Sequence, residues 1–298
     1  MGLKLIKKLC SLNKRSLEIM LIKYLKELGY TIKFSNEYII AEGQLPVCLL
    51  AHMDTVFAQP PKNFFYDKEK TTLWSPDGLG ADDRAGIYSI INILEEGYRP
   101  SLIFTDGEER GGIGASALIQ KFPDCPFSEC KALIQLDRQG SKDAVFYGCD
   151  NPDFTKLIVS YGFEEEWGTF TDISIIAPQW KIAAVNLSVG YFNEHQRIEF
   201  LNLVHCHSTI NKVKEMLKDC TEWLSYSYIP AKIEPMFVGH DHCYFCNKPL
   251  HSAQGHLVSD YIGNQEYVWS LCDQCYNDYK DYLLDGTYTD NIAEDITD

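Results

Sequence analysis

The chain has 298 residues, of which 45% are hydrophobic and 23% are charged, and its formal net charge is −15. This length suits one large domain, or one domain plus a small module, and the composition is that of a soluble globular protein. The negative charge argues against broad nucleic-acid binding, which requires a basic surface. The eleven cysteines include two Cys-x-x-Cys pairs near the C-terminus. This pattern predicts reduced thiols and a metal site rather than a disulfide framework.

The chain carries no sequence signal for a membrane. Its first residues contain no apolar run long enough for a signal peptide. No segment reaches the roughly 18 consecutive apolar residues that a membrane-spanning helix needs. We therefore expect no membrane association and a cytoplasmic location.

Hydrophobic periodicity predicts helices that alternate with buried strands. The predicted helices cover 16–28, 85–96, 113–120, 154–161 and 200–226. The predicted strands cover 30–34, 38–41, 47–52, 102–105, 132–136 and 183–189. Several of these strands are continuous apolar runs, as expected when both faces of a strand are buried. The alternation predicts an α/β fold, a three-layer sandwich with a mostly parallel central sheet.

A change in composition divides the chain into parts. Prolines mark a short connecting stretch, and His, Cys, Tyr and Asp become frequent from Met236 onward. The predicted parts are an α/β domain over 1–228, a linker over 229–238, a cysteine-rich module over 239–285 and an acidic tail over 286–298.

Acidic residues and a histidine fall at or just past the ends of the predicted strands. His52, the run 106–109 and Asp137 each follow such a strand. Ligands bind at the carboxyl ends of the strands in parallel sheets, so these residues predict one composed site. The adjacent acids Asp82 and Asp83 precede a predicted helix. They could hold a cation, or they could simply favour the positive end of the helix dipole.

His52 and Asp54 form a His-x-Asp pair at a strand end. Alternate residues of a strand face the same way, so Asp54 can accept a hydrogen bond from the His52 ring. That arrangement is usual for a metal-bound histidine. Glu108 and Glu109 are adjacent after another strand, where the alternative is a charged helix start.

Five segments in chain order resemble the metal-dependent exopeptidases of the M20, M28 and M42 kind, a clan of zinc aminopeptidases, tripeptidases and carboxypeptidases. The resemblance covers residues 11–226. It rests on Ala-His-Met-Asp-Thr-Val at 51–56, on Leu-Gly-Ala-Asp-Asp-Arg-Ala-Gly at 79–86 and on the paired glutamates with the Gly-rich stretch to 115. Asp137 and the looser match at 186–195 complete it.

The resemblance implies a dinuclear metal site in which Asp82 bridges the two ions. It also implies that the peptide bond between Asp82 and Asp83 is cis. The implied ligands of one ion are His52 and Asp137, and those of the other ion are Glu109 and His195. The mixture of imidazole and carboxylate suits Zn²⁺, with Mn²⁺ or Co²⁺ as alternatives.

The resemblance also implies catalytic roles. Glu108 would act as the general base, which takes a proton from the attacking water and delivers it to the leaving amine, and Asp54 would orient the histidine. A Gly-Thr-Asp-like segment at 168–172 implies that Asp172 supports a ligand or binds the substrate amine. The alternative for Asp172 is a helix cap. Tyr191 could stabilise an oxyanion, or it could be a core aromatic residue.

Only 57 residues separate Asp137 from His195, which is too few for the lid or dimerisation domain that the larger M20 enzymes insert there. This spacing favours a compact core similar to that of the M28 enzymes.

The predicted C-terminal module contains two Cys-x-x-Cys knuckles separated by 25 residues. Its paired cysteines are Cys243, Cys246, Cys272 and Cys275. Two such knuckles in a short segment predict one structural Zn²⁺ held by all four thiolates, and the segment resembles zinc-ribbon or treble-clef domains. A redox role or a histidine ligand is the alternative. The module could recognise a protein or a nucleic acid, cover the active-site cleft or mediate oligomerisation, and the aspartates around it argue against nucleic acid.

The candidate ligands and the resemblance to the metal-dependent exopeptidases imply an enzyme that hydrolyses a peptide or amide bond with two catalytic divalent metals. The simplest such enzyme is an exopeptidase or aminopeptidase. A deacylase or amidohydrolase of N-acylated small molecules is one alternative. A non-catalytic adaptor that presents the zinc module is the other.

Overall fold

The computed structural model describes residues 2–231, 236–238, 242–243, 246, 248–250, 255–262 and 265–284. The chain divides into two compact units, Met1–Pro230 and Ala231–Asp298. The predicted linker over 229–238 and module over 239–285 are described in part, and the predicted tail over 286–298 lies outside the described residues. None of the helices in the described ranges is both long enough and apolar enough to cross a membrane.

The described residues form helices and strands that are interspersed along the chain. The helices are α1 (Gly2–Cys10), α2 (Lys14–Glu27), α3 (Ala81–Glu95), α4 (Ile113–Lys121), α5 (Pro152–Ser160), α6 (Asp172–Trp180), α7 (Leu203–Asp219) and α8 (Asp273–Leu284). The strands up to the sixth are β1 (Thr31–Phe34), β2 (Tyr38–Glu42), β3 (Leu45–His52), β4 (Phe65–Tyr66), β5 (Thr72–Trp74) and β6 (Pro100–Thr105). The next strands are β7 (Ala132–Arg138), β8 (Asp143–Val145), β9 (Glu164–Glu166), β10 (Ala184–Ser188), β11 (Tyr191–Phe192) and β12 (Phe200–Asn202). The last strands are β13 (Met236–Val238), β14 (His256–Ile262) and β15 (Gln265–Leu271).

The larger unit is built on an eight-stranded sheet with the order β1-β2-β6-β3-β7-β10-β8-β9. The inner strands β6, β3, β7 and β10 run parallel to one another. The hairpin β1–β2 joins β6 antiparallel at one side, and β8 joins β10 antiparallel at the other. The predicted α/β fold with a mostly parallel central sheet is therefore confirmed.

The sheet is covered by helices on both faces, as the residues of β3 illustrate. Val47, Leu49 and Ala51 belong to a core that includes residues of α1, α2, α3 and α7. The alternate residues Cys48 and Leu50 belong to a second core with α4 and α6. Each of these side chains is at most 1% exposed, so β3 is apolar at every step because it is buried on both faces.

The predicted helix over 200–226 is too long at both ends. Residues 200–202 form β12, which pairs antiparallel with β5 and β11 in a second sheet of order β11-β12-β5-β4. The side chain of Asn202 then accepts hydrogen bonds from the backbone N–H groups of Val204 and His205 and caps α7. Strand pairing with residues far earlier in the chain therefore overrides the helical pattern. The helix itself ends at Asp219.

The smaller unit contains a three-stranded sheet with the order β13-β15-β14, followed by α8. Its described hydrophobic core consists of Cys243, Val258, Leu271 and Cys272. Two of these four residues are knuckle cysteines, so little of this core is independent of them.

Candidate metal centre

His52 is the last residue of β3 and is fully buried. Its Nε2 atom lies 2.9 Å from Oδ1 of Asp82 and 3.2 Å from Oδ1 of Asp137. Its Nδ1 atom lies 3.3 Å from Oδ1 of Asp54. Asp54 thus lies beside the His52 ring, although β3 ends at His52 and Asp54 is not part of the strand.

Asp82 lies at the beginning of α3, where its own φ and ψ are not helical. Its peptide bond to Asp83 is cis. Gly80, the residue before the helix, has φ +66°, a left-handed conformation that favours glycine. While Oδ1 of Asp82 faces His52, Oδ2 lies 3.2 Å from Nε2 of His195. The two oxygens of one carboxylate thus face two different histidines.

His195 lies in the loop between β11 and β12 and has φ +63°. Its Nε2 atom is 2.9 Å from Oε2 of Glu109, which belongs to a single 3-10 turn, Glu108–Arg110, after β6. The His195 side chain is 52% exposed, whereas that of His52 is 1% exposed. The site therefore has one buried side and one side open to solvent.

The structure brings together all five residues that the sequence predicts as ligands of the two ions. Two overlapping groups have candidate ligand atoms within 4.8 Å of one another, namely His52 with Asp82 and Glu109, and His52 with Asp83 and Asp137. The Asp83 carboxylate is tied to the backbone, since Oδ1 accepts a hydrogen bond from Gly86 N at 2.8 Å. Its Oδ2 accepts another from His52 N at 3.2 Å.

The carboxyl groups of the site lie close together and are largely buried, an arrangement that a bound cation would stabilise. Burial, together with neighbouring carboxylates, raises the pKa of Glu108 to about 9 and that of Glu109 to about 7. Burial also raises the pKa of Asp137. By contrast, hydrogen bonds from His195 and His52 overcome burial and lower the pKa of Asp82. The buried Oε1 atom of Glu109 has no hydrogen-bond partner among the described residues. These donors fit divalent metal ions, which would favour the ionised form of the carboxylates and occupy the unpaired oxygen.

Asp137 is held by polar residues that the sequence analysis did not identify. Its Oδ2 accepts hydrogen bonds from Gln135 Nε2 and Thr171 Oγ1, both at 2.9 Å. Asn186 accepts from the backbone N–H of Asp137 at 2.9 Å and donates to its carbonyl oxygen at 3.1 Å. A signal was present for Gln135, a buried polar residue two positions before Asp137 and therefore on the same face of the strand.

Tyr191 and Asp172 lie close to the site but are themselves buried. The Tyr191 hydroxyl donates to the carbonyl oxygen of Asp137 at 3.0 Å and lies 3.4 Å from its Oδ1. Asp172 is the first residue of α6 and is 1% exposed. Its Oδ2 accepts a hydrogen bond from the Thr105 hydroxyl, and its Oδ1 has no partner among the described residues. Burial raises the pKa of Asp172 to about 7. The cap of α6 is Thr171 rather than Asp172.

Asp54 connects His52 with the paired glutamates. The backbone N–H of Glu108 donates to Oδ1 of Asp54 at 3.2 Å. The same oxygen faces the His52 ring. Although burial opposes it, the adjacent His52 ring lowers the pKa of Asp54.

Glu199 is a further buried acid that the sequence analysis did not single out. Its side chain accepts hydrogen bonds from the backbone N–H groups of Gly80, Ala81 and Asp82. Backbone donors leave no pattern in the side chains, so no sequence signal pointed to this contact.

In the smaller unit the four knuckle cysteines are brought together. Their sulfur atoms all lie within 4.8 Å of one another. The Sγ atoms of Cys246 and Cys272 are 3.7 Å apart. Four converging thiols fit a tetrahedral structural zinc site.

The comparisons with known proteins concern the family and the fold of the chain. Residues 38–162 match the family model of Peptidase family M28. No curated protein sequence matches the chain. The matched range contains the predicted ligands on the buried side of the site, together with the paired glutamates.

Solved structures share the fold of the larger unit. A tripeptidase from Staphylococcus aureus has a TM-score of 0.60 at 15% identity, and the match covers 74% of this chain and 98% of that chain. A TET1 peptidase from Pyrococcus horikoshii, which assembles into a tetrahedron or an octahedral shell, has a TM-score of 0.53 at 15% identity, over 73% and 99%. A glutaminyl cyclase from Porphyromonas gingivalis has a TM-score of 0.53 at 16% identity, over 72% and 96%.

The fold and the family match point to the same group of proteins. The chain has a zinc-exopeptidase-like α/β fold, and its resemblance to the metallopeptidases of the M20, M28 and M42 clan is confirmed. The family match supports a peptidase-type hydrolase, and the structure contains candidate metal-binding residues in both units.

Proposed function

We propose that the chain is a metal-dependent exopeptidase of the aminopeptidase type, which hydrolyses a peptide bond at a dinuclear metal site. The family match and the fold support peptide hydrolysis as the reaction. Structural neighbours that include a tripeptidase favour short peptides as the substrate.

The observation that carries the proposal is the position of the Asp82 carboxylate. Its Oδ1 is 2.9 Å from His52 and its Oδ2 is 3.2 Å from His195. Each histidine has a second carboxylate within 3.2 Å, Asp137 for His52 and Glu109 for His195. A carboxylate between two such pairs has the geometry of a bridging ligand. We therefore assign His52 and Asp137 to one ion, Glu109 and His195 to the other, and Asp82 to both.

The proposed metals and protein residues divide the work of the reaction. When bound, two divalent cations polarise the scissile carbonyl and lower the pKa of the attacking water. Glu108, beside the ligand Glu109, accepts the proton of that water and delivers it to the leaving amine. Asp54 holds the backbone of Glu108 and faces the ring of His52, so it fixes the base relative to a ligand.

The donor set favours Zn²⁺ in the catalytic positions, with Mn²⁺ or Co²⁺ as alternatives, and Zn²⁺ at the four cysteines. The Asp83 carboxylate accepts hydrogen bonds from the backbone N–H groups of His52 and Gly86, so we do not assign it as a metal ligand.

The remaining predicted residues receive positioning roles. Tyr191 donates to Asp137, so we propose that it orients this ligand rather than an oxyanion. Asp172 is 1% exposed and accepts a hydrogen bond from the Thr105 hydroxyl. We therefore propose that it supports the structure around the site rather than binding the substrate amine.

A panel of substrates tests the proposed function. Metal-loaded full-length protein is incubated with aminoacyl anilides, unblocked dipeptides and tripeptides, N-acetylated peptides and N-acyl amino acids. We expect cleavage of substrates with a free N-terminal amine. Cleavage of N-acyl amino acids alone would favour the deacylase alternative, and no cleavage of any substrate would favour the adaptor.

The variant Glu108→Gln tests the general base. We expect it to retain its metals and to lose about 10²–10⁴-fold in turnover, the contribution typical of a positioned base. The matched control is Glu166→Gln, in the exposed strand β9, which should have wild-type turnover. Wild-type turnover in Glu108→Gln would overturn the assignment.

A further inference from the structure

The segment that carries His195 also carries a buried carboxylate four residues later. Glu199 is 0% exposed and lies immediately before β12. Residues flanking it in sequence, 196–198, are exposed. Burying a glutamate costs free energy unless its carboxyl group is hydrogen-bonded or paired with a charge. Glu199 is buried although the residues just before it are exposed, so its carboxyl group needs such partners.

Those partners are backbone N–H groups of the loop that presents the bridging aspartate. Oε2 of Glu199 accepts hydrogen bonds from Gly80 N at 2.6 Å and from Ala81 N at 3.1 Å. Oε1 accepts one from Asp82 N at 3.1 Å. Successive N–H groups that converge in this way form an anion-binding concavity. In this chain the anion is supplied by Glu199.

The strand pairing of the same segment fixes where Glu199 can lie. β12 pairs with β5, with Phe200 opposite Trp74 and Leu201 opposite Leu73. The loop from β5 to α3 leads from that pairing to Asp82. The loop is therefore held at both ends by one segment. β12 pairs with β5 where the loop begins, and Glu199 accepts hydrogen bonds from residues 80–82 where it ends.

We propose that Glu199 is a positioning residue that couples the two halves of the metal site. It fixes the backbone from Gly80 to Asp82, so that the Asp82 carboxylate faces both histidines, and it ties this loop to the segment that supplies His195. The inference rests on the proposed dinuclear site. It goes beyond that site because Glu199 is not itself one of the ligands.

Glu199→Gln tests the coupling with little change in shape. The amide nitrogen of glutamine is a donor and cannot accept a hydrogen bond from a backbone N–H. We expect a folded protein in which the amides of Gly80, Ala81 and Asp82 exchange hydrogen faster than in the wild type. This measurement is made on the metal-free full chain and does not depend on activity.

Titration of the metal-free full chain with Co²⁺ gives the second readout. Absorption from thiolate-to-cobalt charge transfer identifies uptake by the cysteines, which serves as an internal control. We expect the affinity for the second Co²⁺ outside the cysteines to fall about 10-fold or more in Glu199→Gln, the range found for partners that orient metal ligands. Glu199→Asp keeps the charge on a shorter side chain, so its affinity for this Co²⁺ should lie between those of the wild type and Glu199→Gln.

Glu18→Gln is the matched control for loss of a buried carboxylate. Glu18 is 3% exposed in α2 and pairs with Arg15. We expect Glu18→Gln to bind Co²⁺ as the wild type does. If Glu199→Gln does not fold, Glu199→Asp is judged by the same two measurements.

The outcomes separate this inference from the proposed function. Wild-type binding of both Co²⁺ ions and unchanged amide exchange in Glu199→Gln would overturn the inference alone. Co²⁺ uptake by the wild type at the cysteines only would overturn both the inference and the proposed function.

Discussion

The two units of the chain bring their candidate metal ligands together in different ways. In the larger unit the ligands come from separate segments spread between His52 and His195, and an eight-stranded sheet with a core on each face positions them. In the smaller unit they come from two local knuckles, and two of the four described core residues are themselves knuckle cysteines. In the larger unit the fold therefore positions the candidate ligands, whereas in the smaller unit we expect a bound metal to stabilise the fold.

The largest expected effect comes from removing a ligand of the larger unit. In His195→Ala, activity should fall by at least about 100-fold, because the second cation loses a ligand and partners that only orient ligands already account for 10–100-fold. The free energy of unfolding of the metal-free protein should fall by at most about 1 kcal/mol, since the side chain is 52% exposed and its contacts with Asp82 and Glu109 are partly screened by solvent. Peptidase assays and thermal unfolding measure the two effects.

The control for this variant is His205→Ala, a histidine of α7 outside the ligand set, which should keep wild-type activity. A large loss of stability in His195→Ala would contradict the view that the fold builds this site independently of the metal.

The opposite result is expected for a ligand of the smaller unit. In Cys272→Ser the module should lose its zinc and its folded structure, because a short module with a small core depends on the metal. Hydrolysis of a short peptide should stay within about 3-fold of wild type, because the sheet that holds the catalytic ligands keeps its own core. Elemental analysis and amide exchange over 265–284 measure the first effect.

Cys125→Ser provides the matched control, because Cys125 belongs to the larger unit and to neither knuckle. It should retain the full zinc content. An intact module in zinc-free Cys272→Ser would remove the contrast between the two units.

The smallest expected effect concerns a residue that orients a ligand. Tyr191→Phe removes a hydroxyl that donates to Asp137 at 3.0 Å. Asn186 still donates to the same carbonyl oxygen. Losing one hydrogen bond of about 1 kcal/mol should lower activity about 5-fold.

Tyr161→Phe is the control for that variant, since its hydroxyl bonds to Asp219 at the surface. We expect it to match the wild type in kcat and in metal affinity. A 100-fold loss in Tyr191→Phe would instead favour direct contact of this hydroxyl with the reacting atoms.

The sequence predicted the sheet and the candidate ligands for the same physical reason. Strands buried on both faces are apolar at every position, so a polar residue at their end stands out, as with His52 after β3 and Asp137 near the end of β7. The parallel order of those strands then brings their ends together. The inner strands were accordingly found within one or two residues of the predicted bounds.

The second sheet could not be predicted in this way. Its strands are only two or three residues long, too short for an alternating pattern to appear. Residues 200–202 carry a pattern that continues a helix, and only their pairing with β5 makes them a strand. Glu199 was missed for a related reason, because its partners are backbone groups of residues much earlier in the chain.

Elemental analysis of metal-loaded Asp82→Ala beside the wild type tests most directly whether Asp82 binds two cations at once. We expect about three divalent cations per wild-type chain, two in the larger unit and one at the cysteines, and about one in Asp82→Ala. A wild-type chain that holds only the cation at its cysteines, or an Asp82→Ala variant that keeps the wild-type number, would contradict the role of Asp82 as a bridging ligand.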